Sequence, residues 1–372
     1  MITSWAPVAS MFLALVDGSL AARVEAMVAP RIARGDSVGI VVGFVADGRA
    51  RVFGFGRPSV ADDEPPDGRT VFEIGSITKV FTAIALADLA REGLVGLDDP
   101  VARLLPEGVR VPDHDGRPIT LRSLAEHSSG LPVVIPKVVG LGIDPYADVT
   151  AADLYDAFRT MALSRDPGAK YAYSNLGAGL LGLALARRAG TDYDGLIRAR
   201  VCGPLGMRDT GVALDPGQRL RLARPYKEGG APSAPWTFDA FAGAGALHST
   251  ADDLLRFARA NLGEGDAPDR LRAAMDEARR PRTRAGGDRM SIGLGWHVFE
   301  RRGTKSGREI AWHNGGTGGY RSFLAVDREA RAAVVVLSNS DAPIDDLGLA
   351  LIDRRGPGSS PAKAGQPPGS GR

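Results

Sequence analysis

The stretch Val71-Phe-Glu-Ile-Gly-Ser-Ile-Thr-Lys-Val-Phe-Thr-Ala-Ile-Ala-Leu-Ala87 decides how this chain reads. Gly75 breaks the backbone, and behind it Ile77, Val80, Phe81, Ile84 and Ala87 recur at the spacing of one apolar helix face. The run closes at Arg91-Glu-Gly93, a basic residue followed by glycine, as helix ends commonly do. Ser76 and Lys79 lie three apart on that helix, so their side chains share a face and can touch. A serine hydroxyl attacks well only when a neighbour takes its proton. A lysine amine can be that neighbour if burial or nearby charge lowers its pKa. A pair in the first turn of a buried helix has that burial, together with the field of the helix N-terminus.

The pair does not stand as proof on its own. Ser360-Pro-Ala-Lys363 repeats the spacing in an Arg/Gly/Pro/Ser-rich tail, residues 354–372, whose composition predicts disorder. Lysine occurs only at 79, 137, 170, 227, 305 and 363, so two of them follow a serine in this way. Weight comes from what accompanies the pair.

Composition bounds the alternatives. With 372 residues, 44% apolar and 24% charged, the chain reads as an ordinary globular protein able to bury a large core. A net charge of +2, with arginines scattered rather than clustered, argues against nucleic acid as a partner. Cys202 is the sole cysteine, so no internal disulfide can form. No Cys/His cluster has metal-ligand spacing, and neither metal nor cofactor is expected. No run of eighteen apolar residues suggests a membrane span. Residues 1–21 are read as a separate N-terminal segment, signal-like or disordered. The apolar run Ala6 to Val16 has no Lys or Arg before it and Asp17 after it, so it fails as a secretory signal; export and cytoplasmic residence both stay open.

In chain order, residues 22–34 pattern as an amphipathic helix. Residues 37–56 pattern as a hairpin turned at Asp47-Gly48. Gly35-Asp-Ser-Val-Gly39 imitates a nucleophile elbow, but its order of helix, turn, strand is the wrong one, and it reads as a turn. Thr120 caps a short helix stopped at Gly130 and Pro132. His127 at its end, like His248 before a later helix, reads as structural. Gly177-Ala-Gly-Leu-Leu-Gly182 follows no strand, so it reads as small residues for close helix packing rather than a dinucleotide loop. Just before it, Tyr173-Ser-Asn175 stands where a loop can aim a phenol and an amide into a cleft. Tyr173 can relay a proton if a neighbouring ammonium lowers its pKa, with Asn175 as helix N-cap the structural alternative. Thr250 caps a helix over residues 254–262. Residues 292–299, 309–313, 320–326 and 332–337 read as strands of an antiparallel sheet begun by the hairpin.

These segments together resemble the serine β-lactamase and penicillin-binding-protein superfamily, in its class C-like, D,D-peptidase and family VIII esterase branch. The likeness rests on Phe72-Glu-Ile-Gly-Ser-Ile-Thr-Lys79, His127-Ser-Ser-Gly-Leu-Pro132, the Tyr173-Ser-Asn175 loop, Pro204-Leu-Gly-Met207, Gly293-Leu-Gly-Trp296 and His313-Asn-Gly-Gly316. It implies an α+β fold: an antiparallel sheet (residues 37–56 and 290–338), a helical region (75–265) and the site between them, within one catalytic domain over 22–353. It also implies a small-molecule substrate. Ser76 would be acylated, Lys79 and Tyr173 would share the acid and base roles, and Asn175 would bind the substrate amide. Backbone N–H groups of Ser76 and Gly316 would form the oxyanion hole. His313, Asn314 and Gly315 would line the substrate, with His313 standing where many relatives carry lysine; Arg321 is the candidate to restore that charge. The implied activity is hydrolysis of a β-lactam, a D-amino-acid peptide or a small ester. The alternative is a receptor or degenerate scaffold that is acylated without turnover, and an α/β-hydrolase lipase rests only on the misplaced elbow.

Overall fold

The computed structural model describes residues 6–138, 144–287, 289–300 and 309–353, with side chains from residue 19 onward. The tail with Ser360 and Lys363 lies outside them. The strands in chain order are β1 (Gly39–Ala46), β2 (Arg49–Gly56), β3 (Val71–Glu73), β4 (Asp113–His114), β5 (Arg117–Pro118) and β6 (His248–Thr250). They continue with β7 (Thr283–Gly286), β8 (Met290–Ile292), β9 (His297–Glu300), β10 (Glu309–Gly316), β11 (Arg321–Asp327) and β12 (Ala332–Ser338). Eight of them form one antiparallel sheet in the order β2-β1-β12-β11-β10-β9-β8-β7. The two-residue turn between β1 and β2 has positive φ at both Asp47 and Gly48, the twist a tight hairpin needs.

Both faces of the sheet are covered, and strand alternation assigns the residues. Val41, Val45, Val335 and Leu337 enter the core shared with helices Thr78–Arg91 and Asn175–Ala189. Ile40, Val42, Phe44 and Val336 enter a second core with helices Ala6–Ala33 and Asp345–Ile352. The first of these helices runs back to Ala6, where the sequence reading began it at residue 22. No described helix is long and apolar enough to cross a membrane.

Helix Thr78–Arg91 is buried from Thr78 to Leu89, which explains why its apolar residues are not confined to one stripe. It packs against helices Asn175–Ala189, Ala242–Gly245 and Asp269–Arg279. The glycines of Gly177 to Gly182 do the packing expected of them: a Cβ on Gly182 would lie 2.8 Å from the Gly243 Cα. The Gly35–Gly39 segment is a turn entering β1, with Ser37 buried and accepting from the Ser338 hydroxyl at 3.2 Å.

Three readings change. Residues 292–299 are not one strand: Gly293 N–H donates to the Trp296 carbonyl, and Gly295 at φ 72° folds the chain between β8 and β9. The cap of helix Asn175–Ala189 is Ser174, whose Oγ accepts from Gly177 N–H at 2.9 Å, which releases the Asn175 amide for other work. The helical region also contains a small sheet, β3 against β6, of three residues each. Thr120 and Thr250 cap as expected, although the latter helix starts at Ala251.

Candidate active site

Ser76 sits on a single 3-10 turn, Gly75–Ile77, that leads into helix Thr78–Arg91. Gly75 is required twice over. Its φ is 48°, and a Cβ there would lie 2.8 Å from the backbone nitrogen of Gly316. The Ile74 carbonyl accepts from the Ser322 hydroxyl at 2.7 Å, and the Ile74 N–H donates to the Leu247 carbonyl at 2.9 Å. The turn is thereby clamped between the sheet and the segment after helix Ala242–Gly245. Its neighbours are buried while Ser76 stays partly open to solvent.

Two side chains converge on the Ser76 hydroxyl. Lys79 Nζ lies 2.8 Å from Oγ, and the Tyr173 hydroxyl donates to the same oxygen at 2.8 Å. Lys79 Nζ also donates to the Ala244 carbonyl at 2.6 Å and lies 4.9 Å from the Tyr173 ring centroid. Burial holds the Lys79 pKa well below its ordinary value. A neutral amine keeps a lone pair that can take the serine proton. Tyr173 goes the other way from the expectation: burial raises its pKa and the Ser76 hydrogen bond only partly offsets that. The phenol therefore stays protonated, a donor rather than a base.

The sheet opens beside this pair. β9 follows β10 only as far as His297 opposite Trp312, whereas β11 continues to Gly316. Among the described residues no strand pairs with that edge of residues 313–316. Gly315 and Gly316 run against the nucleophile turn, and a Cβ on Gly315 would be 2.1 Å from the Ile74 carbonyl oxygen. The Ser76 and Gly316 N–H groups thus belong to two segments held in contact.

Alternation along β10 separates the remaining residues of this motif. His313 is fully buried; its Nδ1–H donates to the Asn314 carbonyl at 2.6 Å, which leaves Nε2 as the acceptor nitrogen. Burial, then His297 and Lys79, hold its pKa well below normal, so the ring is neutral and carries no charge for an anion. Asn314 points to the other face, where its amide donates to Asp345 at 2.7 Å. The Arg321 guanidinium lies over Gly316, with Nε donating to the Asp341 carbonyl at 2.8 Å. Asn175 donates to the Tyr146 hydroxyl at 2.9 Å, and Tyr146 packs against Trp236, Phe238 and Phe241 as an aromatic wall. His127 is structural: its Nδ1 accepts from Ser174 N–H at 3.2 Å, and its ring lies 4.4 Å from that of Tyr173.

Sequence reading missed Glu73, Tyr171, Tyr146 and His297. Tyr171 was accessible, being two residues from Tyr173 and hence on the same side of an extended loop. His297 follows Gly293-Leu-Gly-Trp296 directly, but only the fold brings it to the site. No group of side chains among the described residues could hold a metal ion.

A buried lysine and a tyrosine on one serine hydroxyl, at the open edge of an antiparallel sheet packed with helices, define a serine hydrolase of the penicillin-recognising kind. The chain belongs to the β-lactamase family, whose model matches residues 24–355. It is 33% identical over 309 residues to the D-alanyl-D-alanine-carboxypeptidase/endopeptidase AmpH of Escherichia coli, covering 80% of this chain and 78% of that one. It is 26% identical over 349 residues to a β-lactamase of the same species, covering 86% and 89%. The solved class C β-lactamase of Rhodobacter sphaeroides superposes with a TM-score of 0.77 at 24% identity, over 88% of this chain and 98% of that one. A serine hydrolase acting on β-lactams or peptides is what family and relatives support.

Proposed function

We propose that the chain hydrolyses the amide bond of peptides ending in D-amino acids, through an ester on Ser76. The observation that carries this reading is the pair of 2.8 Å contacts on Ser76 Oγ, one from a buried amine and one from a protonated phenol. The Ser76 proton passes to Lys79 Nζ as Oγ bonds the carbonyl carbon. The N–H groups of Ser76 and Gly316 hold the resulting oxyanion; such donors are worth about 3 to 4 kcal/mol each. Tyr173 hands a proton to the departing amine and is resupplied from Lys79. Water then repeats the attack on the ester, giving the free carboxylate and restoring Ser76.

One feature favours a peptide over a β-lactam: the edge of residues 313–316, which no described strand pairs, suits an extended chain laid alongside it as an added strand. Neutral His313 gives no lysine-like charge to the carboxylate that either substrate carries. The relative AmpH is named for the same reaction. The test is a parallel assay of an acyl-D-alanyl-D-alanine peptide, a chromogenic cephalosporin and p-nitrophenyl butyrate, with Ser76→Ala as control. Fastest turnover of the peptide, lost in the variant, supports the reading. Turnover of the ester or cephalosporin alone replaces the substrate, and stable labelling by a fluorescent penicillin without turnover of anything makes the chain a receptor.

A further inference from the structure

Behind Tyr173 lies a layer of rings that the proposed reaction does not use. Tyr171 and His297 share a hydrogen bond of 3.0 Å between the phenol and Nε2. The His297 ring stacks on Trp312 at 5.1 Å and lies 5.0 Å from His313. His313 in turn lies 6.4 Å from Tyr173. His297 stands at the last pairing between β9 and β10, just where the edge beside Ser76 opens.

We propose that His297, anchored by Tyr171, is a positioning residue that fixes the His313 ring behind Lys79 and Tyr173 and keeps that wall of the site free of charge. The proposal rests on the reading of Lys79 as the neutral base. An imidazole suits the position because it is polar enough to hold a half-buried phenol yet uncharged. The groups facing it come from every packed element: Lys79 from helix Thr78–Arg91, His127 after helix Leu121–Ala125, Tyr171 from the loop, and His313 from β10. Burial and then the Lys79 charge push His297 down to about 4, and no carboxylate among the described residues bears on it. A carboxylate here would favour the ammonium form of Lys79 and remove the base at neutral pH.

Two measurements test this. In the first, the pH profile of kcat/KM is compared among the wild type, His297→Gln and His297→Glu, on whichever substrate the wild type turns over. The glutamine variant, which can keep the Tyr171 bond, is expected to leave the acid limb in place. The glutamate variant is expected to move it upward by about one pH unit. In the second, which needs no turnover, the 15N signals of the histidines are followed from about pH 8 to about pH 5. In the wild type the His297 signal stays neutral throughout, with the Nε2 shift of a nitrogen hydrogen-bonded to the Tyr171 phenol; in Tyr171→Phe that shift moves while the ring stays neutral, because the burial remains. A wild-type His297 that titrates near the ordinary value overturns the proposal, as does a glutamate variant with an unmoved acid limb. Turnover that survives in Lys79→Met overturns the base assignment instead, and the NMR result still decides the place of His297.

Discussion

Lys79 Nζ donates to the backbone carbonyl of Ala244 at 2.6 Å while lying 2.8 Å from Ser76 Oγ. The carbonyl fixes the amine in place without supplying a negative charge that would hold it protonated. Lys79→Met keeps the volume and loses the base, so kcat/KM is expected to fall by about 10²- to 10⁴-fold. Because a buried amine is replaced by an apolar chain, thermal stability is expected to rise at neutral pH. Lys79→Arg, a larger group that stays protonated, is expected to be both inactive and less stable. Steady-state kinetics and melting curves check all three.

The depressed Lys79 pKa sets a direction for pH dependence. In the proposed reaction the working form is the unprotonated amine, so kcat/KM is expected to be lost as pH falls through the folded value. Unfolded, the same amine binds a proton up to its ordinary range. Between the two values the unfolded chain therefore holds more protons, and stability rises with pH. Denaturant titrations across that window should show the rise in the wild type and a flatter line in Lys79→Met.

Glu73 carries the opposite slope. Its carboxylate is buried three residues before Ser76 and accepts from Trp236 N–H at 2.9 Å. Burial raises its pKa to about 7 from an ordinary 4.5. In that interval the folded protein holds a proton that the unfolded chain has released, so this group makes stability fall as pH rises. The shift corresponds to roughly 3 kcal/mol. Glu73→Gln, which can still accept from Trp236, is expected to remove the decline, so that the variant is the more stable one at alkaline pH in denaturant titrations.

The two glycines of the His313-Asn-Gly-Gly316 stretch should respond differently to a methyl group. On Gly315 it would press within 2.1 Å of the Ile74 carbonyl oxygen, a backbone atom of the nucleophile turn. On Gly316 it would meet Arg321 Nη1, the end of a flexible side chain. Gly315→Ala is expected to cost about 1 to 3 kcal/mol and to depress kcat, because the Ser76 turn must shift. Gly316→Ala is expected to fold with nearly wild-type stability. Melting curves with parallel kinetics separate the two.

The cluster of Ser76, Lys79 and Tyr173 was legible because each member sits beside a strong local signal. Gly75 and the helix mark Ser76 and Lys79, and a loop before a capped helix marks Tyr173. The hairpin was legible from its Asp47-Gly48 turn, and most of the later strands from their β-rich runs. What was not legible depends on contacts between distant segments. β3 and β6 are three residues each and take their register only from one another. Helix Ala151–Thr160 had a local signal, the Thr150 and Asp153 capping box, that the reading passed over. The opposite aims of His313 and Asn314 follow from strand alternation once the strand is extended to Gly316. The rise in the Tyr173 pKa follows from the packing that desolvates its hydroxyl, which no local pattern encodes.

The measurement that bears most directly on the central claim is peptide mass spectrometry of the chain after brief exposure to a penicillin. The predicted result is one covalent adduct on the peptide containing Ser76, absent in Ser76→Ala and strongly slowed in Lys79→Met. An adduct on another serine, or hydrolysis that continues unchanged in Ser76→Ala, would contradict the account.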